Sequence, residues 1–256
     1  MTGESVTTLD HRHQAEKVCS WTVLRARFDP WLMEQATAAG AQCLTEIQVD
    51  SLLTDNGRVI GVKIGDDALY ASAVVLAEGA NTLLAEHHGL IPKPAPSVMA
   101  TGVKEIIALP RERLEERFGL EGDQGCAWLF AGQPTSGRVG GGFLYTNKDS
   151  LSLGVVCNLS ALADSTRSLP QMLEDFKQHP AVRPLLKGGE VMEYSAHMIP
   201  EGGIKHLPPL SGAGWLVAGD AARLCLHAGH MGTRDGSGRD LGTSRRRHAG
   251  PRPPAQ

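Results

Sequence analysis

The 256-residue sequence contains no apolar run approaching the roughly 18 residues that a membrane-crossing helix needs. Met1–Ser20 also lacks the apolar core of a signal peptide. A membrane-spanning or secreted protein is therefore not expected. The five cysteines, Cys19, Cys43, Cys126, Cys157 and Cys225, are scattered and form no C-x-x-C pair. That spacing argues against a structural zinc site or an iron–sulfur cluster held by this chain, and fits a reducing compartment. There is no Gly-x-Ser-x-Gly elbow and no His-Glu-x-x-His pair, so the common hydrolase readings have no support. Gly-x-Gly-x-x-Gly is missing too: Gly140-Gly141-Gly142 has the wrong spacing and lies mid-chain among strand-like residues.

What is present describes a globular protein. Hydrophobic residues make up 41 % and charged ones 21 %, enough for a core in one large domain or two modest ones. The net charge of −3 hides an asymmetry. Residues 232–256 carry six arginines against Asp235 and Asp240, which leaves −7 on residues 1–231. An acidic body offers no electrostatic footprint for nucleic acid.

The order of elements suggests a discontinuous α/β domain. Asp29 is placed to cap a helix over Trp31–Ala39, with Pro30 at its first position and Gly40 ending it. Gln42–Leu53 and Arg58–Ile64 read as strands joined by a hairpin at Asp55-Asn56-Gly57. Ala68–Ser72 leads into the apolar strand Ala73–Ala77, whose end opens at Glu78-Gly79-Ala80-Asn81. From Pro92 the pattern becomes antiparallel: Val98–Leu109, Gly125–Ala131, Gly140–Thr146, Ser150–Leu159 and Glu190–Ile199 are strand-like. Between them Ser168–Leu186 reads as a capped helix interrupted at His179-Pro180. A buried strand, Gly214–Ala218, then breaks at Gly219-Asp220 into the small residues Ala221-Ala222, where a helix could begin.

Gly219-Asp220 is the most informative stretch. A strand end followed by small residues lets a ligand approach free backbone N–H groups, and an ionised Asp220 would accept hydrogen bonds from ribose or ribityl hydroxyls. The plainer alternative is that Asp220 merely caps the helix.

Several segments together carry a resemblance. They are Val23-Leu24-Arg25 with Phe28-Asp29-x-Trp31-Leu32, the Ala77–Asn81 and Gly219-Asp220 strand ends, Gly140–Asn147, Pro170–Pro180, and Tyr194–His197 with Pro200-Glu201. From about Cys19 to Met231 the sequence resembles the FixC branch of electron-transfer-flavoprotein:quinone oxidoreductases. The resemblance implies an α/β fold: an incomplete FAD-binding Rossmann-like domain with an inserted antiparallel-sheet (α+β) domain. The corresponding boundaries are residues 1–91, 92–207 and 208–231, with 232–256 a basic tail. It implies FAD as cofactor, contacted by Arg25, Val49 (beside the adenine), Glu78, Gly79, Gly219 and Asp220 (on the ribityl side), with no metal and no catalytic side chain. Electrons would come from an electron-transfer flavoprotein and leave towards quinone, any iron–sulfur centre being carried by a separate ferredoxin-like protein. The expected location is cytoplasmic, with at most peripheral contact at the inner face of the membrane. A reductase of isoprenoid double bonds, of geranylgeranyl-reductase type, is the alternative within the same superfamily.

The sequence also departs from that pattern. Ala77-Glu78-Gly79-Ala80-Asn81-Thr82 replaces the family's Ala-Asp-Gly-x-Asn-Ser, and Arg223 stands where a small residue is usual. The family's opening strand and Gly-x-Gly-x-x-Gly turn have no counterpart here. With suitably chosen codons, residues 232–242 regain Arg-Gly-Met-Asp-Leu-Ala in a shifted frame, so 232–256 are expected to be a frameshifted reading of the family sequence. A non-catalytic remnant is accordingly a competing expectation. Cys225-x-His227-x-x-His230, and His11-x-His13 with Cys19, are poor metal sites by ligand number and setting.

Overall fold

The computed structural model of the chain describes residues 1–3, 5–7 and 23–224. Helix α1 (Arg25–Ala38) comes first and buries none of its side chains. Strands β1 (Ser51–Asp55), β2 (Arg58–Ile64) and β3 (Asp67–Tyr70) form an antiparallel meander. The β1–β2 turn is Asn56-Gly57, both at positive φ (47° and 77°), as the two-residue turn demands. Strand β4 (Val74–Leu76) and the short helix α2 (Leu83–His87) follow.

The chain then crosses into a second sheet. It is built from β5 (Met99–Ala108), helix α3 (Arg111–Phe118), β6 (Ala127–Phe130), β7 (Gly140–Thr146), β8 (Ser150–Asn158), helices α4 (Leu159–Ala163), α5 (Leu169–Gln178) and α6 (Arg183–Leu186), and β9 (Glu190–Pro200). The five strands are antiparallel in the order β6-β7-β8-β5-β9. After β9 the chain returns to the first region with the hairpin β10 (Ser211–Gly212) and β11 (Trp215–Val217).

Helix α5 explains how the larger sheet holds a core. Leu169, Met172, Leu173 and Phe176 recur at helical spacing, and all four are buried. They pack with Val103, Leu144, Leu151, Leu153 and Val155 from one face of the sheet. Burying each such side chain is worth about 1.5–3 kcal/mol. Ser168 and Gln171 close a reciprocal capping box at the helix start. The same helix sets Lys177 Nζ 2.9 Å from Glu105 Oε2 on β5, an ion pair with little exposure on either side. A second core gathers Leu52, Val59, Leu76, Trp215, Val217, Ala221 and Ala222.

Three expectations change. α1 begins at Arg25, so Pro30 lies inside it, and Asp29 pairs with Arg25 instead of capping a helix at Trp31. Residues 42–50 form no strand, and pairing starts only at Ser51. Gly219–Ala222 is a single 3-10 turn that ends at Arg223 with φ 55°, not the start of an α-helix. The tail 232–256 and the histidine- and cysteine-containing stretches His11–Cys19 and Cys225–His230 lie outside the described residues.

Candidate functional site

Two strands far apart in sequence meet in the smaller sheet. β4 and β11 pair in parallel, Val74 with Trp215, Val75 with Leu216 and Leu76 with Val217. Ala218 N–H donates to the Leu76 carbonyl at 2.9 Å, which carries the pairing to the carboxyl ends. The Glu78-Gly79 and Gly219-Asp220 segments therefore leave the sheet side by side. Carboxyl ends of parallel strands are where open α/β sheets receive ligands.

Both glycines have the left-handed backbone that side chains rarely adopt, φ 75° at Gly79 and 65° at Gly219. A Cβ placed on either would meet no atom within 4 Å. The backbone at both strand ends is thus open to a ligand, and the residues present fit a group laid against it.

Asp220 is exposed and caps no element among the described residues: Ala218 holds the cap position of its turn, with no side-chain cap bond. Among the described residues no donor reaches its carboxylate, which leaves it available to accept hydroxyls. Arg25 lies within electrostatic reach of it. The Arg25 guanidinium is held above its ordinary pKa chiefly by its hydrogen bond to Asp29 and that residue's charge, with Asp220 adding to the effect. Arg27, on the same helix, sits 3.7 Å from Asp149 in the β7–β8 turn.

Val49 and Glu78 line one cleft of about 320 Å³ that runs along β4, with Val62, Val74, Val75 and Leu84. Glu78 has a further task. Its two oxygens accept the Leu84 and Ala85 N–H groups at 2.8 and 2.9 Å, so it caps α2 from the preceding loop. The side chain thereby fixes the path of the Glu78–Asn81 backbone. Sequence reasoning missed that role and the partner bond from Thr82 Oγ1 to Glu86 Oε1 at 2.6 Å, although Thr82 and Glu86 are one helical turn apart. It also missed His88, whose Nε2 accepts the Leu52 N–H at 3.0 Å and ties α2 to β1.

Residues 99–199, β5 through most of β9, match the family model described as ETF-QO, ubiquinone-binding. The chain is 53 % identical over 232 residues to the probable electron transfer flavoprotein-quinone oxidoreductase YdiS of Escherichia coli K12, and equally to Protein FixC of that strain. The chain is homologous to FixC-type electron transfer flavoprotein–quinone oxidoreductases. The alignments cover 90 % of this chain and 54 % of each relative, so it spans about half the length of the FixC-type proteins it matches.

Solved structures agree on the fold. A geranylgeranyl bacteriochlorophyll reductase-like protein from Thermoplasma acidophilum superposes with TM-score 0.62 at 20 % identity, covering 82 % of this chain and 51 % of the other. The flavin-dependent brominase Bmp2 gives 0.58 at 18 %, covering 79 % and 50 %. The α/β architecture with its antiparallel sheet is thus shared with these two structures. Among the described residues no helix is long and apolar enough to cross a membrane.

Proposed function

We propose that the chain forms part of a FAD-dependent oxidoreductase that passes electrons from an electron-transfer flavoprotein towards quinone. The observation that carries this reading is the parallel β4–β11 pair, which sets two open left-handed glycines and the uncommitted carboxylate of Asp220 at one edge. FAD, when bound, supplies the redox chemistry, and the chain supplies binding and orientation.

In this reading Asp220 accepts ribityl hydroxyls, and Gly79 and Gly219 let the cofactor approach the backbone. Val49 offers an apolar wall beside the adenine. Arg25 places a positive charge next to Asp220, and Glu78 acts through the loop it braces. The match of residues 99–199 to a ubiquinone-binding model supports the antiparallel sheet as the quinone-facing part. The electron-transfer flavoprotein and a separate ferredoxin-like iron–sulfur protein are the proposed redox partners. The proposed setting is the cytoplasm, with peripheral contact at the inner face of the membrane. The geranylgeranyl-reductase alternative rests on fold likeness at 20 % identity, whereas the electron-transfer reading rests on 53 %.

The purified chain is incubated with FAD, desalted, and its absorbance recorded. Flavin bands near stoichiometric are expected, and Asp220→Ala should weaken retention roughly 10-fold or more, the value of a hydrogen bond to a charged acceptor. A colourless product after desalting would overturn FAD binding by this chain and favour the non-catalytic remnant.

A further inference from the structure

A second cavity of about 260 Å³ lies where the two crossings between the sheets meet the turn after Gly219. None of its lining residues belongs to the cleft beside β4. Its wall is rich in proline (Pro92, Pro94, Pro208), and its polar side chains are Lys93, His206 and Arg223, with no acidic residue among them.

Arg223 is the built part of this site. It is only 8 % exposed, although it sits at the end of a surface turn with φ 55°, a conformation uncommon for a long side chain. Its Nη2 donates to the Pro92 carbonyl at 2.5 Å. Among the described residues no carboxylate pairs with it. Glu86, the acid whose charge reaches it, has Oε1 engaged by the Thr82 hydroxyl. Burial draws the guanidinium pKa below its ordinary value, with Glu86 opposing. A guanidinium largely withdrawn from water and met by one neutral carbonyl lacks a paired countercharge among the described residues, and a buried charge is costly unless paired.

We propose that this cavity binds a small organic carboxylate, its head on Arg223 and Lys93 and its apolar body against the proline wall. Guanidinium geometry suits a carboxylate, with two parallel N–H donors for two oxygens. Proline has no N–H to offer, so the wall cannot replace the water around a phosphate dianion. The volume lies just below the range of about 300–1,000 Å³ typical of drug-sized ligands, which favours a molecule of the size of benzoate or hexanoate.

Saturation-transfer NMR on the full 256-residue chain at constant ionic strength tests the assignment, with benzoate, hexanoate and benzamide as observed ligands and inorganic phosphate as a competitor of benzoate. Saturable binding of benzoate and hexanoate is expected, with benzamide and phosphate at least 10-fold weaker. Arg223→Gly keeps a residue suited to the turn and should weaken benzoate binding at least 10-fold. Lys93→Ala should weaken it several-fold. Benzamide or phosphate binding as well as benzoate would overturn the proposal without recourse to any variant. So would benzoate binding that Arg223→Gly leaves unchanged, or no saturable binding of either carboxylate.

Discussion

Single side chains here hold loops in place. Glu78 is the clearest case. The FixC-type resemblance implies a cofactor contact for it, and in the structure its carboxylate accepts two amide N–H groups at the start of α2. Glu78→Ala removes both acceptors and should cost about 1 kcal/mol, the usual value of a lost helix cap, in urea denaturation. Because the same residue guides the Gly79 loop, that variant should also lower FAD retention. Glu78→Gln, which keeps one acceptor oxygen, should recover part of each loss. Asp220 illustrates the opposite outcome. Capping was its plainer explanation, and the structure removes it by giving the cap position to Ala218.

At the scale of elements, α5 is the main fastening of the antiparallel sheet. Phe176 meets Phe130 edge-on at 5.0 Å and lies over Gly142, where an added Cβ would come within 2.8 Å of its ring. Phe176→Ala should therefore destabilise the chain by about 3–5 kcal/mol, read from the denaturation midpoint. Lys177 adds a pH-dependent component. Burial opposes its charge, but hydrogen bonds to Glu174 and Glu105 outweigh that and raise its pKa above the ordinary value. A raised lysine pKa stabilises the fold fully below the unfolded value of about 10.4, and the contribution fades as pH climbs through the folded value. Between pH 9 and pH 11 the wild type should thus lose more stability in urea than Lys177→Met.

These same elements show what sequence could reveal. The α5 helix, its Ser168 cap and the Asn56-Gly57 turn were legible because each depends on neighbours within a few residues. β2 and β7 were found end to end for the same reason. Residues 42–50 have strand-like composition but are exposed, and only Asp50 at their end bonds β2, through its N–H to the Lys63 carbonyl; a strand exists only where a partner strand is supplied. The start of α1 was misplaced because Asp29 found a partner one turn back, in Arg25, that outcompeted capping. Gly79 and Gly219 were each visible as strand ends, but their adjacency depends on the β4–β11 pairing, which no local pattern encodes.

At the scale of the whole molecule, the two regions differ in how well they are closed. The five-stranded sheet has a well-covered face, whereas the β10-β11-β4 sheet leaves Val75 59 % and Leu216 44 % exposed on neighbouring strands. β4 is also an edge strand among the described residues, with backbone groups on its outer side free to pair. Concentration-dependent association in sedimentation velocity is expected, and Val75→Lys should suppress it without unfolding the chain, since a lysine at an edge blocks strand addition. Unchanged association in that variant would place the contact elsewhere.

The parallel pair has a kinetic consequence as well. Val74 waits for Trp215, and the whole β5–β9 sheet lies between them in the chain. On a ribosome β4 emerges long before its partner β11. Closing so long a loop costs entropy that only an already folded insert can shorten. The antiparallel sheet is therefore expected to fold before β4 and β11 pair across it.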